Sequence, residues 1–334
     1  MNKYKPKLIL IGGYMHSGTT LLHKIITKNP SVLNTFKETK ILEFDKSIQN
    51  QYVKQNNKID FLAKLARIKY KRSWVEEIEL TNNVIEDYFN FIERLAICNN
   101  KNFIIDGTPN NYLLLDKLPK DLGDNYSIIL IRRDPRDIIS SIKKRVSNIK
   151  RSDFDSFKNY IIRRTHEHYS LFLNTLSIKS SFKKIKKLSQ HNPNNKLLLD
   201  YSNLTLDYTD TIYKVAKFMN VDMNYFPESN NVSNTNSAYD DKSQTIHGIK
   251  YISNYKKILS DKEIAFLELV FKKYYKNYKF YKTKKITIFN YYCYILFILK
   301  APYDLIVLII KRIIRFNSLT KFKEYVSVSF KRLL

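Results

Sequence analysis

Short apolar runs alternate with amphipathic stretches along most of the chain. Four of the runs are continuously apolar, which is typical of parallel strands that are buried on both faces. They are Leu8–Ile11, Phe103–Ile105, Ile128–Ile131 and Leu197–Leu199. Three longer stretches repeat their apolar positions with the 3.6-residue period of a helix. They are Asp60–Tyr70, Thr81–Ala96 and Phe157–Ser177. The alternation predicts an α/β fold of three layers, with helices on both sides of a central parallel sheet.

A different pattern begins near residue 284. The segment 284–316 is the most apolar part of the chain, and residues 282–334 hold 11 Lys or Arg against Asp304 and Glu324. Lys300, Pro302 and Asp304 interrupt the apolar run before it reaches the roughly 20 residues of a spanning helix. We therefore expect a core domain at 1–283 and a basic, hydrophobic helical extension at 284–334. Two helices lying on an anionic membrane are the favoured interpretation of this extension, and a hairpin packed on the core or on another subunit is the alternative.

The first candidate site follows the first predicted strand. Residues 13–20, "GYMHSGTT", have the spacing of a nucleotide-binding P-loop, but Thr19 stands where such a loop carries Lys. Backbone N–H groups at a helix N-terminus remain, together with the hydroxyls of Ser17, Thr19 and Thr20. These groups suit a single 5′-terminal phosphate. A P-loop kinase is the nearest alternative enzyme, and it would need the missing Lys and an acidic magnesium ligand.

The second candidate site follows the strand at Ile128–Ile131. The chain continues as "RRDPRDIISS", residues 132–141, in which Pro135 begins a predicted helix. Arg133 and a serine hydroxyl are therefore expected at the carboxyl edge of the sheet, where open α/β folds bind ligands. A second phosphate fits this position. The alternative is that the arginines only pair with Asp134 and Asp137.

Together the two motifs resemble the sulfotransferases that use 3′-phosphoadenosine 5′-phosphosulfate (PAPS), most closely the branch of tyrosylprotein and carbohydrate sulfotransferases. The resemblance covers about residues 7–281. It implies a P-loop-type α/β fold and PAPS as co-substrate, with no metal. The donor contacts that it implies are Ser17, Gly18, Thr19 and Thr20 for the 5′-phosphosulfate, Arg133 and Ser141 for the 3′-phosphate, Arg145 as a further basic contact, Tyr201 beside the adenine, and residues 243–248 as a closing loop.

The resemblance also suggests the catalytic base. Sulfuryl transfer requires that the acceptor hydroxyl lose its proton and that charge on the bridging oxygen be stabilised. The segment "FKETKILEF", residues 36–44, is similar to the E-T-R and K-E-x-x-F-F patterns of the family, and both patterns place the base at Glu38. Lys37 or Lys40 would tune that carboxylate or contact the sulfuryl group. In an unrelated protein, Glu38 and these lysines would be a solvated helix face.

Two positions depart from the family pattern. His16 stands where Arg or Lys usually precedes the "SGTT" loop, and it would donate to the bridging oxygen more weakly because its unperturbed pKa is near 6.5. Gly107 stands where many relatives have Lys. A catalytically inactive, membrane-associated relative that binds donor or polyanion therefore stays open as an alternative.

Composition bounds the partners and the location. The 334 residues carry a net charge of +27, which implies an acidic partner. A carbohydrate or glycolipid is the first choice of acceptor and a tyrosyl residue the second, whereas nucleic acid is disfavoured. Cys98 and Cys293 are the only cysteines, too few for a disulfide framework or a zinc site. With no visible export signal, we expect a cytoplasmic protein that is peripheral at the membrane. The oligomeric state is not predicted.

Overall fold

The structure is a computed structural model of the chain. It describes residues 5–33, 38–43, 46–76, 78–119, 122, 125–148, 169–190, 193–229, 255–276 and 286–316. These residues belong to two compact units. The first unit holds the described residues of 1–132 and 184–229, and the second holds those of 133–183 and 255–316.

A parallel five-stranded sheet lies in the first unit. Its strands are β1 (Lys7–Gly13), β2 (Val32–Leu33), β3 (Phe103–Asp106), β4 (Tyr126–Arg132) and β5 (Lys196–Asp200). The strand order is β2-β3-β1-β4-β5, and every neighbouring pair is parallel. All four predicted strands are present. The two-residue β2 was not predicted, because a run this short leaves no pattern of its own.

Twelve α-helices accompany the strands in the described part of the chain. They are α1 (Thr19–Ile26), α2 (Lys46–Val53), α3 (Lys58–Ala66), α4 (Val84–Cys98), α5 (Pro135–Ser147), α6 (Leu171–Gln190), α7 (Tyr201–Leu206), α8 (Tyr208–Met219), α9 (Tyr255–Ile258), α10 (Asp261–Val270), α11 (Lys272–Lys276) and α12 (Ile288–Phe316). The predicted α/β class, with helices around a central parallel sheet, is confirmed.

Local capping sets the ends of the predicted helices. The Asn83 side chain accepts the N–H groups of Ile85 and Glu86, so α4 begins three residues after the predicted start at Thr81. Arg67 adopts a left-handed conformation with φ 49° and ends α3 before Tyr70. Residues 157–168 of the third predicted helix lie outside the described residues, and α6 continues past 177 to Gln190.

The core of the first unit lies between β1 and the helices that follow it. From Leu8 onwards every residue of β1 is buried, as expected for a central strand covered on both faces. Leu8 and Leu10 belong to the same apolar cluster as Phe91 and Leu95 of α4. The central position of β1 therefore holds the loop at its carboxyl end in a fixed place.

Lys300, Pro302 and Asp304, which were expected to interrupt the C-terminal apolar run, do not interrupt its helix. The prediction of a second helix falls partly on residues 317–334, which lie outside the described residues. Residues 288–316 form the single helix α12, which continues through Pro302. Within the second unit it packs on α10, where the Phe266 ring stacks on Tyr294 at 5.9 Å and meets Phe297 edge-on at 5.2 Å. None of the helices in the described ranges combines the length and hydropathy needed to cross a membrane. The domain boundary at 283 stays a prediction.

Candidate active site

The P-loop motif forms the turn between β1 and α1. Gly18 is the N-cap of α1 and has φ 107°, a conformation that glycine adopts without strain. The first backbone hydrogen bond of the helix runs from Leu22 N to Gly18 O, at 3.1 Å. The N–H groups of the first helical turn therefore have no acceptor within the helix, and no acidic side chain lies in that turn. This arrangement suits an anion.

The hydroxyl of Ser17 lies inside the loop. Ser17 is fully buried, and its Oγ has no hydrogen-bond partner among the described residues. A Cβ atom at Gly13 would lie 2.6 Å from this Oγ, so the hydroxyl is folded close to the end of β1. Thr19 is also buried and Thr20 is half-buried. A buried hydroxyl with no partner is costly, and an anion held by the loop would satisfy it.

His16 takes a strained place in the same loop. Its φ of 68° lies in the left-handed region, which non-glycine residues seldom adopt. Such strain persists where the surrounding structure requires it, and it is concentrated at functional sites. The His16 side chain is half-buried and directly precedes Ser17 in this loop.

Tyr201 lies against the loop. A Cβ atom at Gly18 would come within 2.8 Å of Cε2 of the Tyr201 ring, and Tyr201 is itself buried. Tyr201 is the first residue of α7, directly after β5, whose last residue Asp200 faces the last residue of β4. There Arg132 Nη2 lies 3.2 Å from Asp200 Oδ1. Burial raises the pKa of Asp200 and the Arg132 charge only partly offsets this effect.

A buried carboxylate holds the segment that contains Glu38. The Thr39 hydroxyl donates to Asp106 Oδ2, and the backbone N–H of Lys40 donates to Thr108 Oγ1 at 3.0 Å. Asp106 Oδ1 accepts from Thr108 N at 2.7 Å and from Asn111 Nδ2 at 3.0 Å. Lys40 has φ 57°, so the chain turns sharply there. Glu38 thus precedes a residue that is fixed to the end of β3.

The strand register places these groups at one edge of the sheet. Leu10 of β1 pairs with Asp106, and Gly13 at the end of β1 pairs with Ile131. Because all strands are parallel, their carboxyl ends meet at the same edge. The P-loop, the Asp106 anchor and Tyr201 therefore belong to one edge of one unit.

The second motif begins the second unit. Arg133 and Ser141 are buried, and Arg145 is exposed one turn after Ser141 on α5. The neighbouring Ser140 donates its hydroxyl to Asp137 O at 3.0 Å within the helix. Ser140 is therefore bonded to its own helix.

Arg136 has a structural role in the same motif. Its Nη2 lies 2.7 Å from Asp134 Oδ2 and its Nη1 lies 2.8 Å from Glu268 Oε1, so the guanidinium joins the start of α5 to α10. The group also lies over the rings of Tyr255 and Tyr275, at 4.5 Å and 4.6 Å from their centroids. For Arg136 the structure agrees with the alternative that the arginines pair with acids.

The sequence predicted the P-loop, the Glu38 segment and the arginine motif, but not the contacts that hold the last two in place. Asp106, the partner of Thr39, was not predicted, although a polar residue directly after a buried strand was the available signal. The pairing of Arg136 with Glu268 was also not predicted. Lys37 and residues 243–248 lie outside the described residues. In the described ranges no group of three or more His, Cys, Asp or Glu side chains could hold a metal ion.

Comparison with known proteins assigns the family. Residues 6–225 match the family model described as "Sulfotransferase family". The chain belongs to the sulfotransferase family. The enzyme class predicted from the two motifs is thereby confirmed, and the kinase alternative is set aside. The tyrosylprotein and carbohydrate branch stays a prediction.

Several solved sulfotransferases are similar in structure. The sulfotransferase domain of the olefin synthase from Synechococcus PCC 7002 has a TM-score of 0.44 and 15% identity, covering 89% of this chain and 96% of that chain. Mouse SULT7A1 complexed with PAP has a TM-score of 0.44 and 15% identity, and the match covers 81% of this chain and 84% of that chain. STF9 from Mycobacterium avium has a TM-score of 0.43 and 9% identity, and the match covers 84% of this chain and 78% of that chain. The family assignment rests on residues 6–225, and no curated protein sequence matches the chain significantly.

Proposed function

We propose that this sulfotransferase transfers the sulfuryl group of PAPS to a hydroxyl of a carbohydrate or glycolipid, with Glu38 as the general base. The observation that supports this most is the anchoring of the Glu38 segment to Asp106, at the sheet edge that also holds the P-loop. A Glu on a solvated helix face would need no such anchor. Here two hydrogen bonds, from Thr39 and Lys40, fix the residues that follow Glu38.

The loop fits the 5′ end of the donor. The buried, unpartnered Ser17 hydroxyl and the N–H groups at the start of α1 offer hydrogen bonds to phosphosulfate oxygens. Tyr201 packs against Gly18 and would stand beside the adenine. In the second unit, the family motif assigns the 3′-phosphate to Arg133 and Ser141, with Arg145 one turn further along α5.

The reaction needs one proton transfer and one exchange of bonds at sulfur. The acceptor oxygen attacks sulfur in line with the bridging oxygen, so that an O–S bond forms and the bridging O–S bond breaks. Glu38 takes the acceptor proton, and the products are the sulfate ester and 3′,5′-adenosine bisphosphate (PAP). His16, in its protonated form, would donate to the bridging oxygen as negative charge grows there. Lys40 and Lys37 are the basic residues on either side of Glu38 that would replace the cation missing at Gly107.

The net charge of +27 favours an anionic or membrane-bound acceptor. Carbohydrate and glycolipid hydroxyls fit this preference, and a tyrosyl residue in an acidic peptide is the second candidate. His16 and Gly107 favour one further candidate, a relative that binds PAPS without turnover.

Transfer of ³⁵S from labelled PAPS tests the proposal. The purified chain is incubated with sulfated and unsulfated glycans, a glycolipid extract and a tyrosyl peptide, and labelled product is measured. We expect label in glycan or glycolipid, loss of label in Glu38→Gln, and no loss in the matched control Glu79→Gln, an exposed acid of the first unit. Label in the peptide would reassign the acceptor. PAP binding without label in any acceptor would support the inactive relative.

A further inference from the structure

Helix α12 exposes many large apolar side chains and buries two polar ones, which is unusual for a surface helix of a globular protein. Such a helix normally buries its apolar face and exposes its polar face. In α12 the polar side chains Asn290 and Asp304 are buried, at 5% and 7% exposure. Large apolar side chains are exposed along the same helix, among them Ile295 at 57%, Leu299 at 75% and Ile306 at 56%.

The buried polar groups are satisfied inside the second unit. Asn290 Nδ2 donates to Ala265 O of α10 at 2.9 Å, and the Ser170 hydroxyl donates to Asp304 Oδ2 at 2.6 Å. Cys293 is fully buried on the same side. The only acidic residue of α12 is therefore turned into the protein, and the packing of the helix is specific.

The exposed apolar side is wide as well as long. Its exposed residues include Tyr291, Ile295, Leu299, Tyr303, Ile306 and Ile310. At 3.6 residues per turn, the exposed large apolar side chains of α12 cover an arc of roughly 220° around the helix. Two paired helices share a narrow seam of a and d positions, so a second copy would leave most of this arc in water. A continuous apolar medium would cover all of it.

The basic residues around α12 favour an anionic membrane as the apolar medium. Residues 282–334 carry 11 Lys or Arg, and of the two acids in this range Asp304 is buried. Lys300 is exposed beside the apolar arc, where its stem can lie along apolar surface while its ammonium reaches headgroups. Tyrosines also suit the boundary between headgroups and acyl chains.

We propose that α12 is a membrane-docking helix that lies flat on an anionic bilayer, with its exposed apolar side in the acyl boundary and α10 covering its other side. Apolar burial would supply most of the binding free energy, and the basic residues would add preference for anionic lipid. The surface is separate from the proposed sulfuryl-transfer chemistry, since it involves neither the P-loop nor Glu38.

Vesicle co-sedimentation of the full chain tests this inference. We expect binding to phosphatidylcholine vesicles that contain phosphatidylserine, and weaker binding to phosphatidylcholine alone or at high salt. The double variant Ile295→Gln/Leu299→Gln should reduce the partition coefficient at least tenfold while PAP binding stays unchanged. The matched control is Leu206→Gln/Tyr213→Gln, which changes two residues of the first unit with 52% and 57% exposure and should not reduce binding.

Other outcomes would overturn the inference. If Leu206→Gln/Tyr213→Gln reduced co-sedimentation with vesicles as strongly as Ile295→Gln/Leu299→Gln, lipid binding would be due to apolar surface in general and not to α12. No binding to anionic vesicles, together with a dimer that Ile295→Gln/Leu299→Gln converts to monomers, would assign the surface to a second copy of the chain. Absence of both vesicle binding and self-association would also refute docking of α12 on a bilayer.

Discussion

The hydroxyl of Thr39 donates a hydrogen bond to the carboxylate of Asp106, across 67 positions of the sequence. Asp106 is 3% exposed and also accepts hydrogen bonds from Thr108 and Asn111. Burial, followed by the charge of Asp106, raises the pKa of the neighbouring Tyr88, so this phenol stays neutral. One buried carboxylate thus fixes the segment of the proposed base to the end of β3.

Loss of this hydrogen bond should slow turnover without weakening donor binding. Thr39→Val keeps the shape of the side chain and removes the donor, so Glu38 is no longer held in place. We expect kcat to fall by about tenfold to a hundredfold, as is typical when a reacting group is misplaced. Affinity for PAP, measured by calorimetry, should be unchanged.

Thr39→Ser is the matched control for that experiment. It retains the hydroxyl that donates to Asp106 and should retain most of the turnover. The role of Thr39 as a positioning residue would be contradicted if Thr39→Val kept full kcat, or if it lost PAP affinity as strongly as turnover.

Substitution of the loop glycine should cost both stability and donor binding. Gly18→Ala places a side chain at φ 107°, which costs about 1–2 kcal/mol in L-residues. The new Cβ also meets the Tyr201 ring. Urea unfolding of Gly18→Ala, Tyr201→Leu and the double variant separates the two effects. We expect the double variant to be more stable than the sum of the single changes predicts, whereas an additive result would show that the ring does not press on the loop.

The arginine motif should divide into a ligand-binding part and a structural part. Arg133→Ala should weaken PAP binding by about tenfold to a hundredfold, the loss of one charge-assisted hydrogen bond of about 1.5–3 kcal/mol. Arg136→Ala leaves the buried carboxylates of Asp134 and Glu268 uncompensated and should cost about 3–5 kcal/mol of stability.

Two adjacent serines of α5 provide a further control. Ser141→Ala should weaken PAP binding, whereas Ser140→Ala should not, because Ser140 bonds to Asp137 within its own helix. Equal effects of the two substitutions on PAP affinity would argue that α5 contributes to folding and not to the 3′-phosphate contact.

The stability of the second unit should depend on pH through Glu263. Burial alone would raise the pKa of Glu263, but hydrogen bonds from Lys143, Tyr169 and the Ser260 backbone outweigh it and hold the pKa below its usual value. A depressed carboxyl pKa stabilises the folded state above the unfolded value, and this stabilisation is lost as pH falls through the folded value.

Glu263→Gln tests this dependence. We expect it to lower the free energy of unfolding by about 2–3 kcal/mol near neutral pH, since it removes charge-assisted hydrogen bonds. The difference in free energy of unfolding between Glu263→Gln and the unaltered chain should become smaller at about pH 3, below the ordinary pKa of Glu. Glu79→Gln, an exposed acid, should show no such trend. If Glu263→Gln lowered the free energy of unfolding by the same amount at every pH, Glu263 would not be ionised in the folded protein.

Periodicity predicted the sheet because its strands are buried on both faces and therefore read as continuous apolar runs. The P-loop could also be predicted from the sequence, since it lies between a buried strand and its helix in consecutive residues. The anchoring of Thr39 to Asp106 could not be predicted, because it joins two distant segments through polar atoms and no local pattern marks such a pair. The break expected at Pro302 does not occur, because the helix α12 continues through this residue. That Asp304 is turned inward depends on Ser170, which only the fold brings near.

The most direct test of the central claim is calorimetric titration of the chain with PAP, beside ADP and ATP with and without magnesium. The account predicts metal-independent binding that prefers PAP and is strongly weakened in Arg133→Ala. Magnesium-dependent binding of ATP in preference to PAP, or no binding of any of these nucleotides, would contradict it.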